Sequence, residues 1–395
     1  MLKTFDIDEL EEGMFVDSIA KQQGKLKITS RGRVSSKAAI EQLRKNGIIS
    51  VVIDLSKQLP AEKAEDVAEP DPDPSEEISQ EVSFEDEINI ATKLHKKGKS
   101  LQKRMIDNVG KNLPIDIAIP QEFTNNLVSS IDRNSNALMC MTKIREKDSY
   151  LLEHSLNVAI LLANFASFIE LSEDQVQEIA LSGFLHDIGK IKIPDSILHK
   201  PGRLTDQEMV IMRDHVYWGT KVLKEMEIPD SIVRTISEHH ERLDGSGYPE
   251  GLRGDEISMF GRMIAIVDTY DAITADRCYK AGMSSKKALQ ILMQDAPEKY
   301  DEKLVNQFVK CIGLYPVGSL VRLDNEKIGM VLKQHPVLAA EPVIKVFYSI
   351  RGSHYLSPTE LNLAAPSNRI KIVDAVIASD FKLDFNKYFN ESIVV

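Results

Sequence analysis

Cysteine is scarce in this chain: three residues in 395, Cys140, Cys278 and Cys311, lie far apart and never as CxxC. That excludes a disulfide framework and a thiolate metal cage, and each thiol is read as a small buried apolar residue in a reducing compartment. Long apolar runs are missing as well. No stretch approaches the roughly 18 uninterrupted apolar residues of a membrane-spanning helix, and the start, MLKTFDIDEL, has no basic region followed by an apolar run. Neither membrane insertion nor export is expected, and a cytoplasmic protein is. Nor is there a basic excess. The net charge is −11, and no basic stripe remains that would hold long nucleic acid.

The charge is concentrated in one place. Residues 61–88 carry 12 acidic side chains against the single Lys63, while the other 48 acids and 48 bases cancel. A Pro-rich, acidic, aromatic-poor segment buries too little apolar surface to offset its chain entropy, so 61–88 is expected to be a flexible linker and a domain boundary. Ahead of it, residues 1–60 read as a small α/β module with a regulatory or docking role. It has a helix from Ser36 to Asn46, Gly47 as its C-cap, and then the β-branched run IISVVIDL. Amphipathic stretches make 89–142 a helical connector. Helical periodicity then dominates 143–315, and 316–395 reads as a small β appendage with a tail, from the alternation of GSLVRLDNEKIGMVLKQ around an Asn-Glu-Lys turn. The fold class expected is mainly α, with small domains of β content at either end. The 43% hydrophobic content supports real cores, and no internal repeat is evident.

What is present is a set of imidazoles and carboxylates at core positions. His154 shares an apolar stripe with Leu151, Val158, Leu161 and Phe165. His186-Asp187 continues a helix opened by a Ser172–Gln175 capping box, in line with Ile179 and Gly183. After a second capping box, Thr205–Glu208, His215 lines up with Met212 and Gly219; His239 and His240 continue the row of Ile232 and Ile236; Asp268 follows Ile264 on the stripe of Asp271. A single histidine on an apolar face is ordinarily a core residue bonded to a carbonyl. Several buried carboxylates meeting in one core are another matter, because without a cation they raise each other's pKa instead of ionising. Five His and two Asp without a thiolate suit first-row divalent metals and exceed one tetrahedral site, so two ions and phosphoester hydrolysis are expected. His95, His199, His335 and His354, in polar or turn contexts, are read as surface or loop histidines.

Taken together, HSLNVAILLANFA, FLHDIGKIKIPDSILHKPGRLTDQE, HVYWG, HHERLDGSGYPEGLRGDEI and RMIAIVDTYDAITADRCYK resemble the HD-GYP family of phosphodiesterases, a branch of the HD metal-dependent phosphohydrolases. The resemblance covers about Lys143 to Tyr315, includes Gly247-Tyr248-Pro249, and implies an HD-type all-helical catalytic domain. Through GMFVDSIAKQQGK and LRKNGIISVVIDLSK, the N-terminal module resembles a small domain of unknown function often fused ahead of it. The implied reaction is hydrolysis of cyclic di-GMP to pGpG, or onward to GMP, by a metal-bridging hydroxide.

By the same resemblance, His154, His186, Asp187 and Asp268 hold one ion and Asp187, His215, His239 and His240 the other. Lys190 meets a phosphate oxygen, Arg277 and Lys280 are further phosphate contacts, and Tyr248 lies beside the substrate. Iron or manganese is the expected metal, with cobalt and nickel also accepted by this ligand set. The loop DGSGYPEG is a turn-rich segment that in the family is a proposed surface for GGDEF-domain partners. Some members place a Glu one turn before the first ligand histidine to hold a third ion. That position is Tyr150 here and Glu153 is about 100° around the helix, so a binuclear centre is expected.

Two other functions compete with this one: hydrolysis of another cyclic dinucleotide or guanine nucleotide, and a non-catalytic module that binds cyclic di-GMP or a GGDEF protein. Oligomeric state is left open, a homodimer being compatible with every observation above.

Overall fold

The structure is a computed structural model that describes residues 2–10, 14–22, 32–33, 44, 48–54, 82–113, 115–144, 150–275, 282–335, 337–384 and 389. The chain divides into two compact units, 1–78 and 79–395. In the first, β1 (Leu2–Asp6), β2 (Phe15–Gln22), β3 (Gly32–Arg33) and β4 (Ile48–Asp54) form an antiparallel sheet in the order β1-β4-β2-β3. β4 is the IISVVIDL run, and its Val51 and Ile53 are fully buried with Ile7, Leu10 and Met14. The helix expected over Ser36–Asn46 lies, apart from the helical Arg44, outside the described residues, as does most of the acidic segment.

The second unit is helical up to Ile312 and then β. It opens with α1 (Phe84–Gly110), which starts inside the stretch expected to be linker: Ser83 caps it, and Glu85, Asp86 and Glu87 complement its N-terminal dipole. Glu87 is fully buried, held by Ser130 and by Nε and Nη2 of Arg133 on α2 (Ala118–Met141), so this end of the acidic run is structural. His95 is also buried, in α1, and is not the surface histidine expected from its polar neighbours.

The centre is α3 (Tyr150–Phe168), apolar on nearly every face and buried accordingly. α4 (Glu173–Leu185) begins at the Ser172–Gln175 capping box and packs across it. The two approach so closely at Gly183 that a Cβ there would lie 3.0 Å from the Ala159 backbone. α5 (Asp195–Leu198), α6 (Asp206–Arg213, opened by the Thr205–Glu208 box), α7 (His215–Glu225) and α8 (Asp230–Ser237) lead to α9 (Met259–Thr274), and α10 (Ser285–Lys299) and α11 (Glu302–Ile312) close the helical part.

Beyond Gly313, β5 (Leu320–Leu323), β6 (Lys327–Lys333), β7 (Val343–Ser349), β8 (His354–Asn362) and β9 (Ile372–Val376) form an antiparallel sheet in the order β8-β7-β6-β5-β9. Its Val321, Ile328 and Phe347 join the same core as the helices. The protein is thus mainly α, with a small sheet at each end. Cys140 is buried, Cys311 is only partly so, and Cys278 lies outside the described residues. No helix among the described residues is long and apolar enough to cross a membrane.

Candidate metal centre

Two of the expected helical positions are breaks between helices. α4 ends at Leu185, His186 is its C-cap, and Asp187 leaves the helix at φ −98°, ψ 8° to start a short 3-10 segment, Ile188–Lys192. His239 and His240 fall in the turn that follows α8, not on it. The breaks have a purpose in the geometry: adjacent side chains on a continuous helix diverge by about 100°, whereas a turn lets neighbours converge on one point.

Each break is locked to a neighbouring element. At Gly189, a Cβ would run into the His215 carbonyl and the Gly219 backbone, so the 3-10 segment lies directly on the first turn of α7. The turn after α8 is tied to the start of α9 by Glu238, a buried carboxylate that accepts from Arg234 Nε (2.7 Å), Ser258 N (2.9 Å) and Ser258 Oγ (2.5 Å).

All seven candidate side chains come together. Three overlapping groups, His154-His186-Asp268, His186-Asp187-His239 and His215-His239-His240, each have ligand atoms within 4.8 Å of one another. His154 Nε2 lies 2.9 Å from Asp268 Oδ1 and 3.6 Å from Asp187 Oδ2. Asp187 stands between the groups, its Oδ2 3.4 Å from His186 Nε2 and its Oδ1 3.6 Å from His215 Nε2. His240 Nδ1 is 3.6 Å from Asp268 Oδ2.

The rings are oriented from behind. His186 Nδ1 meets the Gly183 carbonyl at 2.8 Å, His215 Nδ1 that of Met212 at 2.7 Å, and His239 Nδ1 that of Ile236 at 2.5 Å. A carbonyl only accepts, so each Nδ1 carries the proton and each Nε2 presents a lone pair inward. His215 Nε2 and His239 Nε2 then face each other at 3.3 Å, lone pair to lone pair. His186 Nε2 and Asp187 Oδ1 are buried with no hydrogen-bond partner. A core of converging acceptors is unfavourable unless a cation fills it, so the donor set fits divalent metal.

Electrostatics point the same way. Burial, reinforced by Lys190 at His215 and by His186 and His215 at His239, lowers His215 to about 4 and His239 to about 3, which keeps both neutral. Burial opposes charge on His154 as well, but hydrogen bonds to Asp268 and Asp271 outweigh it and push that ring up to about 9. Burial works against ionisation of Asp187 and Asp268 too; His186 and Lys190 hold the first, and His154 and His240 the second, well below the usual carboxylate range.

Lys190 Nζ sits 2.5 Å from Asp187 Oδ2 and is partly exposed. Tyr248 lies over His240, ring centroids 4.6 Å apart. Arg277 and Lys280 lie outside the described residues, as does the side chain of Tyr150. Glu153 is buried and paired with Lys99 at 3.2 Å. Three residues of the site carry no role in the sequence reading. Asp271 Oδ2 holds His154 Nδ1 at 2.8 Å, and the i, i+3 spacing of Asp268 and Asp271 was its only signal. Glu241, buried, accepts from the backbone N–H groups of Glu250, Gly251 and Leu252. Arg213 packs its guanidinium 4.7 Å from the centre of the Tyr248 ring.

Comparison with known proteins adds the following. A family profile described as an HD domain matches residues 138–304, and one described as a domain of unknown function, DUF3391, matches residues 2–119. A cyclic di-GMP phosphodiesterase of Pseudomonas aeruginosa is 35% identical over 380 residues, covering 94% of this chain and 92% of that protein. A 3′3′-cGAMP-specific phosphodiesterase of Vibrio cholerae is 36% identical over 200 residues, 49% of this chain and 35% of that protein. Among solved structures, an HD-GYP-type protein of Bdellovibrio bacteriovorus aligns over 78% of this chain and 98% of its own, with 13% identity and a TM-score of 0.48.

Proposed function

As the chain belongs to the HD-GYP family of HD-domain phosphodiesterases, we propose that it hydrolyses cyclic di-GMP to pGpG at a centre of two divalent ions. The observation that carries this is the set of inward-facing Nε2 lone pairs of His186, His215 and His239 around the unpartnered Asp187 Oδ1. His154, His186, Asp187 and Asp268 would hold one ion, and Asp187, His215, His239 and His240 the other, with Asp187 shared. Iron or manganese suits this imidazole and carboxylate set, and cobalt and nickel are accepted by it. Bound ions would supply Lewis acidity toward the phosphodiester and a water made nucleophilic at neutral pH.

The chain's own groups do the rest. The carbonyls of Gly183, Met212 and Ile236 keep the imidazoles aimed inward, and Asp271 does so for His154. Lys190, partly exposed beside Asp187, has an ammonium placed to turn to a phosphate oxygen, and Arg277 and Lys280 are assigned the same task on the family pattern. Tyr248 is held neutral by burial and offers its ring and hydroxyl next to His240. Residues 143–315 are taken as the catalytic domain and 1–60 as a regulatory one, acting in the cytoplasm. In the loop from Asp244 to Gly251, Ser246, Pro249 and Glu250 are exposed, which suits a GGDEF-domain partner.

The Vibrio cholerae relative favours a second substrate, 3′3′-cGAMP, but it matches half of this chain, whereas the Pseudomonas aeruginosa enzyme matches the N-terminal unit as well. Product analysis with both dinucleotides, on protein loaded with iron or manganese without oxygen, separates the two. A higher kcat/KM for cyclic di-GMP is expected; preference for 3′3′-cGAMP would replace the substrate, and inertness toward both would leave only a binding role.

A further inference from the structure

Beside the histidine cluster stands a cation that the metal chemistry does not use. Arg213 is the last residue of α6, a helix with no buried side chain, and is itself exposed. Its guanidinium lies 4.7 Å from the centroid of Tyr248. That ring also meets His240 at 4.6 Å and, edge-on and farther off, His215 at 6.5 Å, and His240 packs on His239 at 4.0 Å. A stack of four side chains therefore runs from the surface into the cluster, with Arg213 as its outermost member. Among the described residues Arg213 makes no ion pair, unlike Lys190, which is engaged by Asp187.

Stacking on an aromatic face fixes the plane of a guanidinium while leaving its N–H edge free, and that edge is the part that recognises a phosphate in two-point fashion. A cyclic dinucleotide carries two phosphodiesters, each with its own negative charge. Only one can be cut at a time, so the other needs a cation outside the metal cluster. Resting on the functional reading above, we propose that Arg213, seated over the Tyr248 ring, binds the phosphodiester that is not being cleaved and so selects substrates carrying two phosphates.

The test compares metal-loaded full-length wild type, Arg213→Ala and Arg213→Lys on cyclic di-GMP and on bis(p-nitrophenyl) phosphate, which has a single diester, with metal content quantified in each. Loss of one charge-assisted contact is expected to raise KM for cyclic di-GMP about tenfold, with a smaller change in kcat. KM for the simple diester should rise clearly less, and Arg213→Lys should recover part of the loss by restoring the charge without the planar edge. An arginine that served only the C-terminal end of α6 would lower stability and weaken both substrates alike. Equal effects on the two substrates, or an unchanged KM for cyclic di-GMP, overturn the inference alone. A wild type that cleaves the simple diester but no cyclic dinucleotide overturns the functional reading, and the inference with it.

Discussion

Asp271 Oδ2 lies 2.8 Å from His154 Nδ1, while Asp268 Oδ1 lies 2.9 Å from the Nε2 of the same ring. One imidazole thus joins two carboxylates from successive turns of α9. With no metal bound, that ring is charged up to a pH of about 9, a proton standing where a cation would serve.

Asp271→Ala should therefore weaken metal retention without touching a ligand. Outer partners of ligating histidines are worth about 10–100-fold in affinity. Dialysis against graded chelator followed by metal quantification reads this directly. Retention equal to wild type would leave Asp271 with a packing role only.

The metal-free protein should be most stable near pH 6.5. His154, raised to about 9 in the fold, gives stability that is full below its unfolded value and is lost as pH rises through 9. His215 and His239, lowered to about 4 and about 3, act in the opposite window. The unfolded chain takes up their protons first as pH falls below about 6.5, so stability drops toward pH 4. Thermal unfolding of chelator-treated protein from pH 5 to 9 should show a maximum, and a flat profile would contradict these shifts.

Gly189→Ala should disable the centre from a position that bears no ligand. The added Cβ collides with the His215 carbonyl and Gly219, so α7 must move away from the 3-10 segment and carry His215 from Asp187. A cost of about 1–3 kcal/mol is expected from such overpacking. Helical content by circular dichroism should persist while metal content falls, and full metal content would show that the contact can relax.

Glu241→Gln should loosen the loop that carries Tyr248. Three backbone N–H groups converge on this carboxylate at 2.8, 3.1 and 3.0 Å, and a carboxamide would turn a donor toward at least one of them. A loss of about 1–3 kcal/mol follows from an unsatisfied buried group. Faster hydrogen exchange at Glu250, Gly251 and Leu252, with a raised KM for cyclic di-GMP, is the expected result; unchanged exchange would remove the clamp.

The sequence exposed the ligand types and their order because imidazoles and carboxylates at apolar-face positions have no cheap alternative explanation in such number. The two capping boxes, at Ser172 and Thr205, also form as their residues dictate, since they depend only on neighbours within one turn. What stayed hidden depends on packing between elements. His186 and Asp187 extend an apolar stripe on paper, but the helix ends at Leu185 and the chain passes into a 3-10 segment that lies on α7. His95 has polar neighbours along the chain and is nonetheless buried in the fold. Asp271, Glu241 and Arg213 are ordinary charged residues until the fold sets them against His154, the loop backbone and Tyr248.

The most direct measurement is a titration of metal-free protein with manganese or anaerobic ferrous iron, following cyclic di-GMP hydrolysis and bound metal together, for wild type and Asp187→Ala. We expect activity to saturate at two ions per chain, and the Asp187→Ala variant, lacking the shared carboxylate, to lose both tight metal and hydrolysis. Full activity at one ion, a requirement for three, or a variant as active as wild type would contradict a two-metal centre joined by Asp187.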